Sequence, residues 1–219
     1  GTDGFEFVEF SHPEPEKLRE LFARMGYSPV AKHKTKDITV WRQGDINYIL
    51  NAEPGSHAAH FVDKHGPCAA SMAWRVVDAK HAFDHAVSKG AVPYEGDDKM
   101  LDVPAIVGIG GSLLYFVETY GAKGSAYDAE FDWLGERNPR PEGIGFYYLD
   151  HLTHNVFRGN MDKWWDFYRE LFNFKQIHFF DIDGRITGLV SRAITSPCGK
   201  IRIPLNESSD PKSQINEYL

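Results

Sequence analysis

The chain is poor in cysteine and lacks several motifs that decide function elsewhere. Its 219 residues hold two cysteines, Cys68 and Cys198, with no CxxC and no metal-ligand spacing. That excludes a disulfide scaffold and a zinc ribbon, and reduced thiols are expected. No apolar run approaches the roughly 18 residues that span a bilayer. No basic run or stripe is present. The 24 Lys and Arg are outnumbered by 31 Asp and Glu, for a net charge of −7, which argues against a nucleic-acid partner. There is no Gly-rich phosphate loop and no Ser nucleophile elbow. The opening Gly1-Thr2-Asp3-Gly4-Phe5 has no Met and no basic segment followed by an apolar one. The expectation is a cytoplasmic protein without an export signal, trimmed at both ends.

What is present supports folded cores. Hydrophobic residues make up 42% and aromatics 14%, enough for one large domain or two small ones. The clearest organisation is a repeated strand-helix-strands unit. Phe5–Phe10 alternates like a half-buried strand. Ser11 and Glu14 then have capping-box spacing, with Pro13 near the first turn. Leu18, Leu21, Phe22 and Met25 share one helical face, and Gly26 stands where a left-handed residue ends a helix. Strands are expected near Val30–Lys34, Ile38–Arg42 and Ile46–Leu50, with a turn at Gly44-Asp45. The unit reads βαβββ.

A second copy starts at Met72–Val77. Asp78 caps a helix with Ala82, Phe83, Ala86 and Val87 inward, and Gly90 closes it. Strands are expected at Pro93-Tyr94, Ala105–Gly108 and Leu113–Val117, with a tight turn at Gly110-Gly111. A third copy starts at Tyr147–His151. Asn160 caps a helix carrying Trp164, Trp165, Tyr168, Leu171 and Phe172, and Asn173 ends it. Strands follow near Gln176–Phe180, Thr187–Ile194 and Lys200–Leu205. A linking helix starts within Lys212–Leu219. Sliding the third copy onto the first by about 147 positions pairs Asn173 with Gly26 and His151 with Gly4.

The expected fold class is α+β: tandem βαβββ modules forming open, barrel-like sheets with helices outside. Residues 1–120 are expected to form an N-terminal domain of two modules without a metal site. Residues 121–145, rich in Gly and Pro, read as a linker that packs on something through Tyr127, Phe131 and Trp133. Residues 146–219 read as the first half of a second domain. Its partner module would lie beyond Leu219, and Ile194 and Ile203 are expected to lack partners without it.

His151 is the leading candidate for a metal ligand, because the repeated unit bears a histidine there in one copy only. The alternative is a core or surface histidine beside an acid. His154 is three residues on, and on a strand it points to the other face. His57, His60 and His65 make a second histidine group, read as ligands or as a solvated connector. His81 and His85 have helical i,i+4 spacing, which clamps zinc only with a third ligand. The alternative is a solvent-facing pair. Ser191, Asn206 and Gln214 are uncharged polar residues in or beside apolar strands. They suit a pocket wall that orients a ligand, or simply strand ends in solvent.

Several segments together resemble the 4-hydroxyphenylpyruvate dioxygenase family, bacterial type, of the vicinal-oxygen-chelate superfamily. They are His151-Leu152-Thr153-His154-Asn155-Val156, Arg202–Glu207, Ser213–Tyr218, Arg42–Asn47, His65-Gly66-Pro67 and Pro104–Gly111. The resemblance covers nearly the whole chain. It implies an Fe(II)-dependent dioxygenase of tyrosine catabolism. Such an enzyme converts 4-hydroxyphenylpyruvate, an aromatic α-keto acid, and O2 to homogentisate and CO2. It implies His151 as the first of three iron ligands, the second His and the Glu lying in the absent fourth module. It also implies Ser191, Asn206 and Gln214 in the substrate pocket, and a homo-oligomeric full-length protein with no nucleic-acid or membrane partner. Two alternatives accompany it: a 4-hydroxymandelate synthase, and a non-catalytic binding protein of the same superfamily.

Overall fold

The computed structural model describes residues 1–182, 188–208 and 210–219. The first unit comprises β1 (Thr2–Ser11), α1 (Pro15–Arg24), β2 (Ser28–His33), β3 (Ile38–Gln43) and β4 (Ile46–Asn51). Then come α2 (His57–His65), β5 (Cys68–Val76), α3 (Ala79–Ser88), β6 (Ala105–Val107), β7 (Leu113–Val117) and β8 (Phe131–Trp133). These strands form one eight-stranded sheet in the order β6-β7-β5-β1-β4-β3-β2-β8. The two copies join where β1 and β5 run antiparallel. The eighth strand is not from the second copy. Pro93 makes only an isolated bridge to Ile106, as expected of a residue with no N–H to give a ladder. Instead β8, from the segment read as a linker, pairs with β2 at the far edge.

β1 does not alternate as its sequence suggested. It is covered on both sides, and Glu6 and Glu9 are buried within it. Phe5 packs with Trp74, Val76 and Phe116, whereas Phe7 packs with Ala73, Tyr115 and Tyr127. Residues two apart on a regular strand share a face. A register shift between Phe5 and Phe7 sends them to opposite faces. Glu9 is satisfied by Asn51 Nδ2 at 2.7 Å and by the Ser71 hydroxyl.

One helix-start reading and one helix-face reading need correction. Ser11 is the last residue of β1, and α1 begins at Pro15 with Glu14 at its cap, without a side-chain cap bond. Leu21 is 45% exposed, because α1 rests on its sheet mainly through Phe22, with Leu18 and Met25 beside it. Asp78 does cap α3, accepting from His81 N at 2.8 Å. Gly26 and Gly90 follow their helices at positive φ.

The second sheet has the order β10-β11-β12-β9. Its elements are β9 (His154–Val156), α4 (Met161–Phe172), β10 (Lys175–Ile182), β11 (Leu189–Thr195), β12 (Arg202–Glu207) and α5 (Gln214–Tyr218). Asn173 ends α4 in the left-handed conformation, which an Asn tolerates. Asn160 holds the cap position but gives no side-chain cap bond. Thr187, at the head of the strand expected over 187–194, lies outside the described residues.

Ile194 and Ile203 do not lack partners. Both are fully buried under α4. The same apolar cluster continues into the first sheet through Trp74, which meets Tyr168, Phe172 and Phe174. α4 is thus packed on its own strands and on the neighbouring sheet. No described helix is long and apolar enough to cross a membrane.

Candidate functional site

His151 lies just before β9, not inside a strand as expected, and its side chain is about half exposed. The backbone still ties it to the sheet: Leu152 N donates to Arg202 O at 3.2 Å. The His151 Nδ1 atom is 2.8 Å from Asp150 Oδ2. Asp150 also accepts from Arg202. The His151 ring, and then Arg202, hold the Asp150 carboxyl below the usual carboxylate range. A carboxylate accepting from Nδ1–H fixes the tautomer whose Nε2 carries a lone pair, the form a metal ligand needs.

Fe(II) in the resembling family requires more than this one donor. Among the described residues no group of three or more His, Cys, Asp or Glu is placed to hold a metal. The described residues therefore fit one ligand position and do not by themselves complete an iron centre.

The polar candidates are partly assembled. Ser191 and Asn206 are direct cross-strand partners on β11 and β12, so their side chains share a face. The ladders extend this row to Phe180 on β10 and Asn155 on β9. Val190 joins the apolar cluster and Arg192 lies over Trp165 of α4, so the row is on the face away from α4. Asn155 escaped the sequence reading because register, not periodicity, brings it to the row. Gln214 opens α5, exposed, after Ser213 caps that helix. No hydrogen bond among the described residues joins it to Ser191 or Asn206. The row begins four residues along β12 from Arg202, about 13 Å at strand rise.

Of the other candidate histidines, His57, His65 and His154 have structural partners. His57 and His65 bracket α2, with Nε2 atoms 2.9 Å from Gly111 O and Gly110 O. The connecting segment is a short helix pinned to the 109–111 turn. His81 and His85 lie on α3 without a third donor. His154 is bound to Tyr168, with Nε2 2.6 Å from the hydroxyl, and burial lowers its pKa to about 4. A cavity of about 430 Å³ adjoins it, between α2 and β5 on one side and β9 and α4 on the other. Its walls include Phe61, Met72, His154, Val156 and Trp164, but not His151, Ser191 or Asn206.

Tandem βαβββ sheets with outer helices place the chain in a broad class. Residues 148–217 match the model for the glyoxalase/bleomycin resistance protein/dioxygenase superfamily. Residues 1–132 match the model described as hydroxyphenylpyruvate dioxygenase, HPPD, N-terminal, and the chain belongs to that family. It is 50% identical to 4-hydroxyphenylpyruvate dioxygenase of Pseudomonas aeruginosa, over all of this chain and 62% of that protein. It is 52% identical to hemolysin VllY of Vibrio vulnificus, over all of this chain and 63% of that protein. The chain thus spans less than two thirds of the length of these relatives. Among solved structures, a xylose isomerase-like TIM barrel/4-hydroxyphenylpyruvate dioxygenase fusion protein superposes with a TM-score of 0.82 at 34% identity. That match covers all of this chain and 34% of the other. A 4-hydroxymandelate synthase variant from Streptomyces coelicolor has a TM-score of 0.83 at 20% identity, over 99% of this chain and 67% of that one, and shows the shared fold.

Proposed function

We propose that this chain is part of an Fe(II)-dependent 4-hydroxyphenylpyruvate dioxygenase, forming homogentisate and CO2 from the keto acid and O2 in tyrosine catabolism in the cytoplasm. The observation that carries the reading is the full-chain identity of 50% to a protein of that name. The geometry supports it at two points. His151 is held by Asp150 in the tautomer that leaves Nε2 for a metal. Ser191 and Asn206 stand together on one sheet face, as uncharged groups that orient an aromatic ligand do. His151 and this row are separated along the sheet, so the keto-acid end and the far end of one ligand would meet different groups. When bound, Fe(II) would supply the site where keto acid and O2 meet. In this reading residues 1–120 carry no metal, and 146–219 begins the catalytic half. Gln214 and a homo-oligomeric assembly belong to the same proposal.

The test is oxygen uptake by the full gene product with 4-hydroxyphenylpyruvate and Fe(II), with chromatography of the product. Homogentisate is expected. 4-Hydroxymandelate would move the protein to the synthase reading. No uptake by an iron-loaded, folded protein would favour a binding role.

A further inference from the structure

The first sheet holds a small polar cavity of about 40 Å³, whose walls do not include His151. Its charged walls are Glu6, Arg42, Asp45, Arg75 and Arg140. The space exceeds the roughly 10–15 Å³ that one water needs. Arg42 is 5% exposed, and its partners are all neutral. Nε donates to Asn47 Oδ1 at 2.6 Å, and Nη1 donates to Asn138 Oδ1 at 2.7 Å and Pro139 O at 2.9 Å. Its guanidinium lies over the rings of Tyr127 and Trp133. Arg75 donates through Nε to Glu6 Oε2 at 2.6 Å and lies over Tyr120. At the rim, Arg140 is 2.8 Å from Asp45.

The charges around this space do not balance. Three guanidiniums face two carboxylates, and each carboxylate is bonded to an arginine other than Arg42. A buried cation without a charged partner is costly. One monovalent anion would neutralise the group, and guanidinium N–H forks suit a halide or a carboxylate.

We propose that this cavity binds a small monovalent anion, of halide or formate size, against Arg42 and Arg75. Asn138 and Arg140 line the same space, so bound anion ties their segment to the first sheet. Binding to the folded state then raises stability by mass action. The proposal is independent of the iron reading.

The experiment is thermal unfolding of the full gene product in sodium chloride, bromide or formate against sodium gluconate, whose anion is too large to enter, at equal ionic strength. A saturable rise in midpoint with the small anions is expected. Glu6→Gln keeps the shape and removes the competing carboxylate, so it should lower the half-saturating bromide concentration several-fold. Arg140→Gln, at an exposed rim position, should raise it. Bromide anomalous scattering from crystals should place a peak beside Arg42. Identical midpoints in bromide and gluconate would mean that the cavity holds water only. A Glu6→Gln protein with unchanged bromide dependence would place the anion elsewhere. Either result overturns the proposal.

Discussion

The partly buried His154 pairs with the buried Tyr168: Nε2 is 2.6 Å from the phenol oxygen, and the rings stack with centroids 5.8 Å apart. The hydroxyl donates to a neutral imidazole. Burial lowers the His154 pKa to about 4 and raises that of Tyr168. An unfolded histidine titrates near 6.5. Between pH 6.5 and 4 the unfolded chain therefore binds the extra proton, and stability falls as pH drops through that window. The contribution is complete above pH 6.5 and is at most about 3 kcal/mol. His154→Phe keeps a stacked ring and removes the titration. Denaturant midpoints from pH 7 to 4 should fall less steeply in this variant. Parallel profiles would show that His154 is not the group held neutral.

Trp74 links the two sheets. It is fully buried, and it stacks on Phe174 at 5.4 Å with Phe172 edge-on at 4.8 Å. Trp74→Ala should cost about 3–5 kcal/mol, as large-to-small changes in cores do. Trp74→Phe should cost less. Equilibrium unfolding in urea reads both. A loss under about 1 kcal/mol for the alanine variant would mean that the inter-sheet contact contributes little.

Much of this fold was legible because it depends on local pattern. Gly26, Gly90 and Asn173 ended helices where the chain needs positive φ, and strand 113–117 is found as read. What escaped was set by long-range pairing. β8 joins the first sheet because β2 offers an open edge, and no local signal in Phe131–Trp133 names β2 as its partner. Ile194 and Ile203 could not be seen to face α4 before the register of β11 was known. At the site, sequence marked His151, Ser191 and Asn206. It did not show that Asn155 joins Ser191 and Asn206 in one row, or that Tyr168 is the partner of His154.

Gln43 anchors the segment between the sheets. Fully buried, it donates through Nε2 to Met25 O at 2.8 Å and accepts at Oε1 from Ile144 N and Phe146 N. Gly143 lies against it at φ +59, where a Cβ would come within 2.3 Å of Gly26 O and 2.5 Å of the Gln43 amide. Gly143→Ala should cost about 2 kcal/mol or more, from the strained conformation and the backbone clash together. Gly135→Ala is the control: nothing lies within 4 Å of its built Cβ, and its effect should be near zero. Equal thermal midpoints for the two variants would refute this account of the segment.

The role given to His151 makes a prediction that needs no turnover. In the full gene product, His151→Ala should lower bound iron to trace levels, read by metal analysis after purification with Fe(II). Asp150→Asn keeps the side-chain shape but weakens the hold on Nδ1–H, so iron affinity should fall about 10- to 100-fold, as for other groups that orient a ligating histidine. His81→Ala, on the exposed side of α3, should load iron normally. Normal iron in the His151→Ala protein would remove it from the ligand set. Normal iron in Asp150→Asn alone would keep His151 and remove the carboxylate's positioning role, leaving Asp150 only its pair with Arg202.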